Sequence, residues 1–325
     1  MPVDVKEVKR RLLVFLKDEN LVTEYIRRFG PTIDIKNIKA VKEKEEAEVI
    51  KEGDGPSEGA DPIYESLLSC PVCNKENIIS YELKAKSQQI VDNRLLQQEY
   101  LGAMGHKSVD YDMLAVSICS RCLFASPDRK DFSSVNKITG KTTPSQILPN
   151  PILTLQEKIG ERKALVVGIA NIEDYFKRPR KPDAAIVSYK LAGMRAKVEA
   201  YHELPNSLYK LGFYYVKMAK IIKRKGEDDS HALKEALEYF EECFKNSNAS
   251  GETAEYRVLY MIVALYIRLK EERKAHPFIA AFDKIRTDLA AKSKTDPKIN
   301  LTAIDQWLNK AKNLWEDRER NDLWI

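Results

Sequence analysis

Two cysteine pairs constrain this chain most: Cys70-Pro-Val-Cys73 and, further along, Cys119-Ser-Arg-Cys122. The two residues inside each pair fold the backbone into a tight knuckle that aims both sulfurs at one point. Zn²⁺ takes four ligands in a tetrahedron and thiolates suit it, so two knuckles complete its shell. Such a shell is structural, because a catalytic zinc keeps one position open for water or substrate. The expected ligands are Cys70, Cys73, Cys119 and Cys122, holding one structural Zn²⁺. The rival is redox chemistry. A single C-x-x-C beside a βαβ pattern would suggest it, but here there are two pairs, and no clear βαβ pattern surrounds either.

With 325 residues the chain has room for more than one domain and a substantial core. Five cysteines, an odd number, do not suit a secreted disulfide scaffold. Near the start only Leu12 to Leu16 form an apolar run, bounded by charges, which is not a signal-peptide pattern. The longest apolar stretch, Val258 to Ile267, is about half a membrane span. The expected setting is cytoplasmic, with no membrane partner. A net charge of +5, interspersed along the chain, does not by itself point to nucleic acid.

Residues 1–30 read as an N-terminal helical hairpin, with Val5, Val8, Leu12 and Phe15 on one stripe and Leu21, Tyr25, Ile26 and Phe29 on the next. Gly30-Pro31 stops it. The plain reading is a hairpin docked on the main body; the alternative is a dimerisation element. Residues 31–62 form a charged linker ending KEKEEAEVIKEGDGPSEGADP. Residues 63–135 hold the knuckles in a zinc-ribbon-like module. The runs Ile78–Leu83 and Leu114–Ile118 read as strands that leave one knuckle and enter the other, and the insert Ser87–Gly105 is compatible with a helix. Residues 136–150 are polar, with Pro144 and Pro149, and read as a second linker. So few apolar residues there predict that the module and the helical body are separable.

Residues 151–325 are helical in pattern. Leu208, Leu211, Gly212 and Tyr215 have the spacing of the first helix of a tetratricopeptide repeat, and Ala236, Phe240 and Cys243 that of the second. Gly212 is then expected at a close helix crossing, and Cys243 as a small core residue. A weaker pair follows, Tyr256–Leu269 and Phe278–Leu289. In the last helix Ile304, Trp307, Leu308, Ala311, Leu314 and Trp315 share one face, and Thr302 with Asp305 resembles a capping box. The alternative is a plain helical bundle. The expected fold is mainly α, with a small zinc-ribbon-like β module before a tetratricopeptide-like helical repeat body.

The cysteine and helix motifs resemble a bacterial family known as a domain of unknown function, number 2225. The likeness rests on Ser69-Cys70-Pro71-Val72-Cys73, on Leu114-Ala115-Val116-Ser117-Ile118-Cys119-Ser120-Arg121-Cys122-Leu123-Phe124-Ala125, and on the helical segment Ala184 to Lys225. It covers roughly residues 65–290. It implies a zinc-binding fold and no established activity. Asn74 and Leu123 stand where the family usually has glycine after each pair. Asparagine tolerates left-handed backbone; leucine tolerates it poorly.

No other chemistry stands out. Of His106, His202, His231 and His276, none lies in a metal motif, and His106 is at most an alternative ligand. No Gly-rich phosphate loop or G-x-S-x-G occurs, so no enzyme is expected. Lys177-Arg178-Pro179-Arg180-Lys181, and the helix carrying Lys210, Lys217, Lys220, Lys223, Arg224 and Lys225, offer cations to phosphates. The plainer reading is a solvated loop and a helix end that complements the dipole. The expected function is a cytoplasmic, zinc-stabilised interaction or scaffold protein whose helical domain takes a protein partner or a second copy. The alternative is a nucleic-acid-binding zinc-ribbon protein. The end, Leu323-Trp324-Ile325, is expected to fold back onto Trp307 or Trp315, or else to dock on a partner.

Overall fold

The computed structural model describes residues 59–135, 139–296 and 299–320. The expected N-terminal hairpin, most of the charged linker and the Leu323-Trp324-Ile325 end lie outside the described residues. What is described is mainly helical, with small antiparallel strand pairs ahead of the helices.

Strand β1 (Ile63–Leu68) pairs with β2 (Ile78–Leu83), in a register running from Ile63 opposite Leu83 to Leu68 opposite Ile78. Their connection is the first knuckle. The insert is a second hairpin, β3 (Gln88–Asp92) with β4 (Gln98–Gly102), and not a helix. Asn93 decides this: its Oδ1 accepts from the N–H of Leu95 at 2.9 Å and of Gln97 at 3.0 Å. That turn, closed by Leu96 at φ 51°, reverses the chain before a helix can nucleate. Only Ser117–Ile118 of the run Leu114–Ile118 is extended; as β5 it pairs with β6 (Ala125–Ser126) around the second knuckle. Strands β7 (Ser134–Val135) and β8 (Thr142–Thr143) form the last pair.

The helices follow in the order α1 (Pro149–Glu157), α2 (Ile159–Ala164), α3 (Ile172–Phe176), α4 (Pro182–Tyr201), α5 (Ser207–Arg224), α6 (Ser230–Lys245), α7 (Glu252–Arg268), α8 (Glu272–Ser293) and α9 (Thr302–Glu316). From α4 to α8 each packs on the next, and α9 packs on α7 and α8. Helix α7 is buried almost all round, with Val258 through Ile267 inside, as expected of a helix apolar on every face. Gly212 on α5 lies against Phe240 on α6 so closely that a Cβ there would meet the ring at 2.7 Å. Cys243 is fully buried beside them. The capping box expected of Thr302 and Asp305 is absent. Asn300 Oδ1 accepts from the Thr302 N–H at 2.8 Å instead, and Asp305 pairs with Arg286. Among the described residues no helix is long and apolar enough to cross a membrane.

The described residues from Ala60 to Arg320 belong to one compact unit. Leu95, Leu96, Val116, Leu123 and Ala125, all from the strand region, are buried in the main helical core. Leu155 of α1 and Val198 of α4 are buried with the knuckle cysteines. Within the expected linker 136–150, among its described residues, the Gln146 N–H donates to the Lys130 carbonyl at 2.9 Å and Ile147 packs on the cysteine cluster. Sequence polarity marks a surface connection here, but a surface connection can join elements that share one core.

Candidate metal centre

The two knuckles are built alike. In the first, the Asn74 N–H donates to the Cys70 carbonyl at 3.0 Å, and the Cys70 N–H to the Lys75 carbonyl at 2.9 Å. In the second, Leu123 N–H to Cys119 O and Cys119 N–H to Phe124 O are both 2.8 Å. The residue closing each turn is left-handed, Asn74 at φ 57° and Leu123 at φ 59°. Where glycine would be the easy choice, asparagine and a core-buried leucine take the same conformation.

The turns bring Cys70, Cys73, Cys119 and Cys122 together, with all four sulfurs within 4.8 Å of one another. Cys70 Sγ lies 3.5 Å from Cys122 Sγ, and Cys73 Sγ 3.5 Å from Cys119 Sγ. Disulfide sulfurs sit at about 2.05 Å, so these are free thiols paired across the knuckles. A tetrahedron with metal–sulfur bonds of about 2.3 Å has edges of about 3.8 Å, so the quartet has room for one ion. Cys70, Cys119 and Cys122 are buried and Cys73 is partly exposed. His106 is not part of the cluster; its Nδ1 lies 3.1 Å from the Ala103 carbonyl.

Without an ion the four thiols cannot ionise together. Hydrogen bonds from Cys122 and Cys70, joined by backbone N–H groups, hold Cys119 well below the ordinary thiol range. The same contacts, with burial, push Cys70 and Cys122 up. A dication reverses this, since it attracts every thiolate at once.

The surrounding shell was not visible in the sequence. Gln156 of α1 donates to the Val72 carbonyl at 2.8 Å, gripping the first knuckle. Arg162 of α2 donates from Nε to the Cys122 carbonyl at 2.9 Å, gripping the second. Lys75 bridges to Ser120 at 2.7 Å and to Glu173 of α3. All three helical residues lie in ordinary polar stretches, and only the folded chain brings them to the cysteines.

The cations singled out in the sequence are largely occupied. On α5, Lys217 and Lys220 meet the buried Asp112, Arg224 meets Asp110 and Glu99, and Lys210 meets Glu199; Lys225, just past its end, meets Asp183. Arg178 forms a two-armed pair with Asp61, and Arg180 is buried, donating to the Phe176 and Val116 carbonyls at 2.9 Å.

Residues 63–310 match the family described as an uncharacterized protein conserved in bacteria (DUF2225), a span that takes in both knuckles and most of the helices. No curated protein and no solved structure matches the chain.

Proposed function

This chain belongs to the DUF2225 family, and on that premise we propose that it is a cytoplasmic, zinc-stabilised interaction protein. One observation carries the reading: four thiols converge from two matching knuckles, the number that fills a tetrahedral shell. Tetrathiolate sites of this shape suit Zn²⁺ and serve to hold a fold together, not to turn over substrate. The free state of all five cysteines fits a reducing compartment.

The interaction role is supported by the helical body, read as a tetratricopeptide-like array. Helices α4 and α5 border a cavity of about 190 Å³ whose lining includes the half-buried Met194 and Tyr215, Lys190 and Lys197, over the buried Tyr189, Tyr214 and Met218. Tyrosine and methionine adapt well to a protein side chain. The nucleic-acid alternative has less support, because most of the cations it would use pair with acids within the chain.

Elemental analysis tests the metal. The expected result is one zinc per chain, lost in Cys119→Ser; metal-free protein with paired disulfides would overturn it. Affinity capture from the native cell tests the partner. Capture should be specific and lost when Met194 is changed to Glu. Capture unaffected by that change would remove the cavity from the proposal.

A further inference from the structure

Arg162 looks like a solvated cation in the sequence, between Glu161 and Lys163 on a short helix. In the fold its neighbours are exposed and it is only 1 % exposed. Its hydrogen bonds go to neutral groups, the Cys122 carbonyl at 2.9 Å and the Leu155 carbonyl at 2.7 Å. Among the described residues it forms no ion pair with a carboxylate, and the adjacent Glu161 pairs with Lys158 instead. A buried cation without a counter-charge is strongly disfavoured, because it loses its hydration and gains no opposite charge.

The other buried arginines show how this chain normally meets that cost. Arg195 pairs with Asp131 and Glu199. Arg180 lies over the rings of Tyr81 and Phe176. Arg162 has neither device. Instead it sits against the cysteine cluster, on the carbonyls of Cys122 and of Leu155, which is buried with Cys70, Cys119 and Cys122. Four neutral thiols, or two disulfides, would leave the guanidinium uncompensated, whereas four thiolates around a divalent ion carry a net charge of −2.

We propose that Arg162 is the built-in counter-charge of a metal–tetrathiolate centre, stabilising the all-thiolate form so that it retains a divalent ion. This rests on the zinc reading above. It goes further in assigning the charge state of the site and the residue that sets it. The guanidinium also fixes the second knuckle through the Cys122 carbonyl, so charge and position must be separated experimentally.

The full-length chain, Arg162→Met and Arg162→Lys are compared by competition with a chromophoric chelator for Zn²⁺. The thiolate-to-metal absorption of their Co²⁺ forms is recorded, with helical circular dichroism as the folding control. Arg162→Met is expected to lose roughly 10- to 100-fold in zinc affinity. Arg162→Lys keeps the charge without the planar fork and is expected to retain most of the affinity, with a four-thiolate Co²⁺ spectrum. If Arg162→Met does not fold, a folded, zinc-retaining Arg162→Lys still supports the charge role. Loss of zinc or fold to the same extent in both variants overturns it in favour of packing alone. Zinc bound by Arg162→Met as tightly as by the parent overturns it outright. A parent chain without metal sinks the zinc reading and this inference together. A zinc-loaded parent with an indifferent Arg162→Met sinks only the role of Arg162.

Discussion

Leu123 pays for one property with another. At φ 59° its backbone is left-handed, which costs an L-residue roughly 1–2 kcal/mol. Its side chain is 2 % exposed and belongs to the main core, and emptying such a site costs about 2–5 kcal/mol. The burial term is larger, so Leu123→Gly should destabilise the chain by about 1–3 kcal/mol although it relieves the strain. Urea titration of zinc-loaded protein measures this; a more stable variant would mean that strain dominates. Gly212 presents the opposite case, a missing side chain. A Cβ would meet the Phe240 ring at 2.7 Å, and that ring is confined by Phe213 with centroids 5.0 Å apart. Overpacking a site this tight should cost about 3 kcal/mol in Gly212→Leu, the upper end of the usual range. A thermal midpoint equal to that of the parent would show that α5 and α6 can separate freely there.

Helix α5 shows what its sequence conceals. Its cations read as a solvated basic face, but the 3₁₀ turn Tyr111–Met113 delivers Asp112 beneath it, with the carboxylate fully buried between Lys217 at 2.5 Å and Lys220 at 2.9 Å. Burial alone would push that carboxyl up, but the two ammonium groups outweigh it and hold it below its ordinary value of 3.8. A carboxyl lowered in the fold contributes its full stability above 3.8, and that contribution is lost as pH falls through the lower native value. Asp112→Asn leaves Lys220 buried with, among the described residues, only the longer pairs to Glu99 at 3.6 Å and Asp110 at 3.5 Å as counter-charge. It should therefore cost about 3 kcal/mol at neutral pH and flatten the stability profile below pH ~4. An unchanged acid profile would place the pair outside the folding balance. The sequence could not supply this partner, because Asp112 and Lys220 meet only through tertiary packing. The same limit hid the β3–β4 hairpin, whose turn depends on one asparagine side chain overriding an apolar spacing a helix could also use. The long helices were legible because burial on one face needs only local periodicity: Leu208, Leu211 and Gly212 lie on the inner face of α5, and Ala236, Phe240 and Cys243 on that of α6. The four ligand candidates were legible for a similar reason, since each knuckle is a local turn.

Across the described residues the cysteine cluster and the helices share buried contacts. Leu155 and Val198 are buried with the cysteines, Gln156 and Arg162 grip the two knuckles, and Asp131 beyond the second knuckle pairs with the buried Arg195 of α4. Polarity at residues 136–150 suggests that chelation would melt the knuckles and spare the helices. The shared core argues otherwise. A ligand that binds only the native state stabilises everything that unfolds with its site, by about 4 kcal/mol when free ligand stands at a thousand times its dissociation constant. Structural zinc has apparent binding energies on the order of 10–16 kcal/mol in small peptides, so the site has ample free energy to transmit. The expected outcome is that excess chelator lowers the thermal midpoint of the helical signal, in a single transition that coincides with the one reported by aromatic circular dichroism. Phe124 and Phe132, packed edge to face beside the cysteines at 4.9 Å, supply a signal from the knuckle side. Two separated transitions, with the helical one unmoved by chelator, would show that α4 to α9 stand without the centre. The contacts from α1, α2 and α4 to the knuckles would then be adhesive surface and not a common core.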